Sequence, residues 1–184
     1  MTEQKQRSPG VLLLVPILGG SLLLSTPAVQ DTIQKWESGR KRVLVVYADK
    51  LAGGLPTVCN GLTRHVTTTP IIVGQVWTTE KCEIHEAAVT QTIQRELVKC
   101  FLRLPYQSVF DAASSFAWNV GVRAVCNSGS MKLWNGGQWT LGCTRIAYTP
   151  SSRPNWSNAN GKFYPGLHNR RKDEMALCLS GIGK

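Results

Sequence analysis

Six cysteines, Cys59, Cys82, Cys100, Cys126, Cys143 and Cys178, constrain this chain of 184 residues more than any other feature. They are even in number and widely spaced, so pairing them requires the chain to fold back on itself repeatedly. None forms a Cys-x-x-Cys pair and none has a histidine at zinc spacing, so no metal site is indicated. Disulfides formed in an oxidising compartment are the expectation. The alternative is six buried thiols acting as small apolar side chains. Spacing does not choose the pairing.

The N-terminus points the same way. Lys5 and Arg7 precede an uncharged run, GVLLLVPILGGSLLLSTPAV. As a helix from Val11 to Val29 it would span roughly 28 Å, close to the hydrocarbon thickness of a bilayer. Pro16, Gly19, Gly20, Ser21 and Pro27 dilute it. A weak uncleaved anchor is favoured over a cleaved signal peptide, because Thr26-Pro27-Ala28 is an awkward cleavage site. Basic residues before the run place the N-terminus inside and the bulk of the chain outside. The expected division is residues 1–30 as signal-anchor or signal peptide and 31–184 as a single domain.

Hydrophobic residues make up 42% of the chain and charged ones only 17%, enough apolar material for a core and too little charge for wholesale disorder. The net charge of +10 favours a polyanionic partner. No basic run interleaved with aromatics appears, and an exported chain rarely meets DNA, so nucleic acid is not the expected partner.

Periodicity predicts an α+β chain with its β part segregated near the front. A short helix is expected in QDTIQKWESG, capped by Asp31 and stopped by Gly39. Two strands are expected in RKRVLVVYAD and from Leu55 to Cys59, joined by a glycine-bearing turn. Helices are expected from Thr78 or Thr79 to Leu104, from Gln107 to Val120, near 129–135 and 137–147, and in LHNRRKDEMALCLSG. In the last, Met175, Cys178 and Leu179 are expected to face inward. Arg170 and Arg171 read as a solvated face with Asp173 and Glu174, contact with Glu37 or wall phosphate being the alternative. The tryptophans Trp118, Trp134, Trp139 and Trp156 read as core rather than as sugar platforms.

Glu37 ends a helix, Asp49 ends a strand and Thr57 opens the next, so the three can line one cleft edge. Two carboxyls across a cleft suit glycoside hydrolysis. One donates a proton to the leaving oxygen, and the other stays ionised to activate water or to stabilise positive charge on the sugar. A threonine hydroxyl can orient that water. Helix ends and turns commonly carry such acids for local reasons, so spacing by itself also fits a solvated Glu37 and a turn-forming Asp49. No other acid lies between Glu37 and Asp49.

The stretch WESG, followed by VVYADKLAGGLPTVCNGLT, resembles the Glu-Gly, Tyr-x-Asp and Thr-x-x-x-Gly signature of phage-type lysozymes. FDAASSFAWNVGV is similar to an internal helix of lambdoid endolysins, and GKFYPGLHNRRKDEMALCL resembles their terminal helix. The basic-flanked apolar segment is similar to that of signal-anchor-release endolysins. Ser38 stands where the family has glycine after the acid, and both the Glu37 to Asp49 interval and the turn before Thr57 are longer than usual. The resemblance implies a lysozyme-like fold, with a small β-hairpin lobe and a mainly helical lobe behind an N-terminal apolar helix. It implies hydrolysis, with inversion, of the β-1,4 link between N-acetylmuramic acid and N-acetylglucosamine in peptidoglycan, leading to host lysis. Glu37 would be the general acid, Asp49 the second carboxylate and Thr57 the holder of the water. Asn119 would bind a sugar amide or hydroxyl, or else cap its helix end from a buried site. No cofactor is implied, and a monomer is expected. Peptidoglycan, the inner membrane and the secretion machinery would be the partners, with the chain tethered and then periplasmic. A lytic transglycosylase and a non-catalytic wall- or membrane-binding protein are the rival readings.

Overall fold

The computed structural model describes residues 13–39 and 41–183. The apolar front of the chain forms β1 (Leu14–Ile17) and β2 (Gly20–Leu23), an antiparallel hairpin in which Val15 faces Leu22. The expected apolar helix is therefore not present over these residues. Pro16 cannot donate within a helix, and Gly19 at φ 92° and Gly20 favour a tight turn instead. Among the described residues no helix is long and apolar enough to cross a membrane. Val15, Leu22 and Leu24 are buried in the main core, so this hairpin packs as part of the folded body.

Helix α1 (Pro27–Ser38) follows, so a boundary drawn at residue 30 falls inside it. Its cap is Thr26 rather than Asp31: the Thr26 hydroxyl accepts from the Val29 amide at 3.3 Å, and Pro27 occupies the first turn, where its missing N–H costs nothing. Gly39 ends it in the left-handed conformation. Strands β3 (Val43–Asp49) and β4 (Leu55–Cys59) form the expected ribbon. Helix α2 (Thr79–Leu97), capped by Thr78, is shorter than its sequence pattern, because a 3-10 turn over Val98–Cys100 bends the chain before Pro105.

The helical lobe comprises α3 (Gln107–Val120), α4 (Val122–Cys126), α5 (Gly129–Asn135), α6 (Trp139–Ala147) and α7 (Pro165–Leu179). Only α4 has no counterpart among the expected helices. A two-residue hairpin, β5 (Asn158–Ala159) with β6 (Lys162–Phe163), lies within the turn-rich loop before α7. The larger core gathers around α3, with Phe110, Phe116, Trp134 and Ile146 fully buried. A smaller one, with Val46, Val58, Leu62 and Trp77, sits beneath the ribbon. Tryptophans 118, 134, 139 and 156 all pack against one core or the other, as expected of core residues.

All six cysteines are paired, each with its sequence neighbour: Cys59 with Cys82, Cys100 with Cys126, and Cys143 with Cys178. The first ties β4 to α2, the second ties the turn after α2 to α4, and the third ties α6 to α7.

Candidate active site

The ribbon's register explains which side chains share a face. Tyr47 pairs with Thr57 and Asp49 with Leu55. Directly paired residues lie on the same side of a ladder, and alternate residues repeat that side. Tyr47, Asp49, Leu55, Thr57 and Cys59 therefore point the same way, and all five line one cleft of about 370 Å³. Glu37 and Ser38, at the end of α1, form its other wall with Lys41. The structure thus brings Glu37, Asp49 and Thr57 together around one space. Asn119 is exposed on the penultimate residue of α3 and is not among the cleft's lining residues, so a buried cap does not describe it.

Each side chain is held by an identifiable device. Thr57 is nearly inaccessible, and its hydroxyl donates to the Leu55 carbonyl at 3.0 Å. That commits its proton and leaves the oxygen's lone pairs to accept. Beyond Thr57 the chain reverses: Val58 and Leu62 exchange backbone hydrogen bonds at 3.0 and 2.8 Å. This turn carries Gly61, at φ 86°, against the Glu37 wall of the cleft; a Cβ on Gly61 would lie 4.0 Å from Glu37 Oε2. The turn is anchored from α2, where Glu86 accepts from the Asn60 amide at 3.0 Å and pairs with Arg42 at 2.9 Å. Burial pushes the Glu86 carboxyl up, and Arg42 and the amide pull it back. Cys59, at φ 59°, is fixed in an unfavourable conformation beside its bridge to Cys82.

Glu37 is 23% exposed and pairs with Arg170 through Nη1 at 2.6 Å. This corrects the expectation of a solvated face: Arg170, Arg171 and Glu174 are the buried side of α7, together with Cys178, while Met175 and Leu179 are only half-buried. Glu174 has no exposure at all. It pairs with Arg170 at 3.1 Å and with Arg171 at 2.8 Å, and accepts from the Ser115 hydroxyl at 2.9 Å. Burial pushes Glu174 up and lowers Arg171 to about 10, each opposed by the partner's charge. Part of the signal for this face was present in the sequence. Helix α7 has no clean apolar stripe, and a helix that packs without one must bury its charges in pairs.

The sequence profile of the family described as Phage lysozyme matches residues 30–174. Over 78 residues the chain is 41% identical to an endolysin of Bacillus phage PZA, a match covering 42% of this chain and 28% of that protein. The chain therefore spans under a third of the curated relatives it matches. Its fold is similar to that of a variant of P22 lysozyme, with TM-score 0.70 and 24% identity over 85% of this chain and 98% of that one. It is also similar to the muramidase domain of SpmX from Asticaccaulis excentricus, with TM-score 0.66 and 23% identity over 84% and 97% of the two chains.

Proposed function

The chain belongs to the phage lysozyme family, and from that premise we propose that it hydrolyses the β-1,4 bond between N-acetylmuramic acid and N-acetylglucosamine in bacterial peptidoglycan. The observation that carries the reading is the single cleft lined by Glu37 on one wall and by Asp49 and Thr57 on the other. Glu37 donates its proton to the glycosidic oxygen as the bond breaks. Positive charge develops on the sugar ring, and the ionised Asp49 carboxylate stabilises it and draws a proton from the attacking water. The Thr57 oxygen accepts a hydrogen bond from that same water, which orients its lone pair toward the anomeric carbon. Attack from the face opposite the leaving group inverts the configuration. Asn119 supplies a polar contact to the glycan beyond the cleft.

Three disulfides and the apolar front of the chain support a role outside the reducing cytoplasm. In this reading residues 1–30 act as the signal-anchor that engages the host's secretion machinery and inner membrane. The chain, a monomer, then acts in the periplasm and lyses the host.

The test is Glu37→Gln, which keeps shape and removes the transferable proton. Release of reducing ends from purified peptidoglycan is expected to fall at least about 100-fold, with near-UV circular dichroism and binding to isolated walls retained. A folded Glu37→Gln variant with parental turnover would end this assignment.

A further inference from the structure

Glu174 does not line the cleft, yet it is wholly buried between two buried guanidiniums. Buried ion clusters of this kind rarely add stability over apolar packing of equal volume, so their retention calls for another role. We propose that Glu174 is a positioning residue for Glu37, acting through Arg170; the inference rests on the reading of Glu37 as proton donor.

The geometry assigns every nitrogen of Arg170. Its Nε pairs with Glu174 Oε1 at 3.1 Å, Nη2 donates to the Ser115 carbonyl at 3.4 Å, and Nη1 holds Glu37 Oε1 at 2.6 Å. Glu174 is itself fixed by the Ser115 hydroxyl and by Arg171, whose guanidinium lies 4.7 Å over the Phe116 ring. Arg170 therefore presents one nitrogen to Glu37 instead of a two-pronged fork. A fork would grip both carboxylate oxygens and favour the ionised form strongly. Held by one oxygen, Glu37 keeps Oε2, the atom beside Gly61, as the place for its proton.

Glu174 also neutralises part of the buried charge of Arg170 and Arg171, pairing with both. Among the described residues, the other charged groups around Glu37 include Lys41 and Asp49 in the cleft lining and the Lys35–Asp173 pair on the outer side of α1 and α7. Helix α3 presents Ser115 there and no charge.

The experiment compares the full chain with Glu174→Gln combined with Arg171→Met, which removes both charges of the buried pair and leaves neither alone. Cleavage of purified peptidoglycan is followed from about pH 4 to about pH 9, with kcat and KM separated, alongside thermal unfolding. The expected result is a kcat lowered about tenfold with KM nearly unchanged across that range, because Arg170 loses the charged partner of its Nε and no longer holds Glu37 Oε1 in place. A folded double variant with parental kcat would show that the cluster is structural and overturn the proposal. Should that variant not fold, Glu174→Asp keeps the charge and withdraws the carboxylate by one methylene. It is expected to lower kcat without raising KM, and an unaltered kcat overturns the proposal too. A parent chain that releases no reducing ends would bring down the functional reading and this inference together; an active parent with indifferent variants brings down only the role of Glu174.

Discussion

Asp111 shows how much one buried side chain can decide. It sits on α3 with 3% of its surface exposed, accepting from the Thr26 hydroxyl at 2.7 Å and from Gln107 Nε2 at 2.9 Å. Thr26 also caps α1, so this contact joins the helix that carries Glu37 to the centre of the helical lobe. Burial pushes Asp111 from its ordinary 3.8 up to about 6, and the two donors oppose the rise. The unfolded chain releases this proton near the ordinary value, and the folded chain holds it to higher pH. Stability from the protonated form is therefore full at low pH and is lost as pH rises through about 6. Asp111→Asn removes the titration while keeping the shape. Urea midpoints are expected to show the variant more stable than its parent by about 3 kcal/mol above neutrality. The gap should close toward pH 4; a gap independent of pH would contradict the account. The same scale explains why Arg170 was legible only in part. Two arginines four or fewer residues from two acids on one helix describe a solvated face and a buried cluster equally well, and only the packing of α7 against α1 and α3 distinguishes them.

At the level of elements, the β3–β4 ribbon has a smaller core than the helical lobe and depends on discrete ties. Glu86 grips the Asn60 amide, Arg42 pairs with Glu86, and the Cys59–Cys82 bridge closes a segment with a sequence separation of 23. A crosslink of that span contributes about 3 kcal/mol through the unfolded chain. Replacing both cysteines by alanine is expected to loosen the ribbon first. Wall cleavage would then be lost at a lower urea concentration than the helical circular dichroism signal. Coincident loss of the two signals would argue that ribbon and lobe unfold as one unit. The strands themselves were readable from β-branched composition and the glycine turn. The shortening of α2 was not, because an apolar face continues across a 3-10 turn as smoothly as along a helix.

Over the whole molecule, charge is unevenly shared. Between Leu97 and Lys172 the chain has one acid, Asp111, and it is buried, while Lys99, Arg103, Arg123, Lys132, Arg153, Lys162 and Lys172 are exposed. The helical lobe thus offers a cationic surface suited to an anionic partner, such as the wall polymer of the proposed function. Association of this kind weakens with ionic strength, because screening shortens the range of exposed charges. Binding of the Glu37→Gln variant to isolated walls is expected to weaken about tenfold between about 0.05 M and about 0.5 M salt. Binding indifferent to salt would place recognition in the uncharged cleft contacts instead.

By itself, the sequence determined the α+β class, the boundaries of α3 and α5 and the position of the β3–β4 ribbon, but not the small hairpins β1–β2 and β5–β6 outside it. It also determined the short list of acids that can serve a cleft, because periodicity, caps and turn residues are local properties. What the tertiary structure decided was every outcome that depends on two distant segments meeting. The front of the chain, apolar enough for a bilayer helix, pairs as a hairpin because a core is there to receive Val15 and Leu22. The six cysteines find their partners only once α2, α4, α6 and α7 are in place. The charged side of α7 turns inward because Glu37 and Ser115 complete its pairs, a compensation that sequence spacing alone does not reveal.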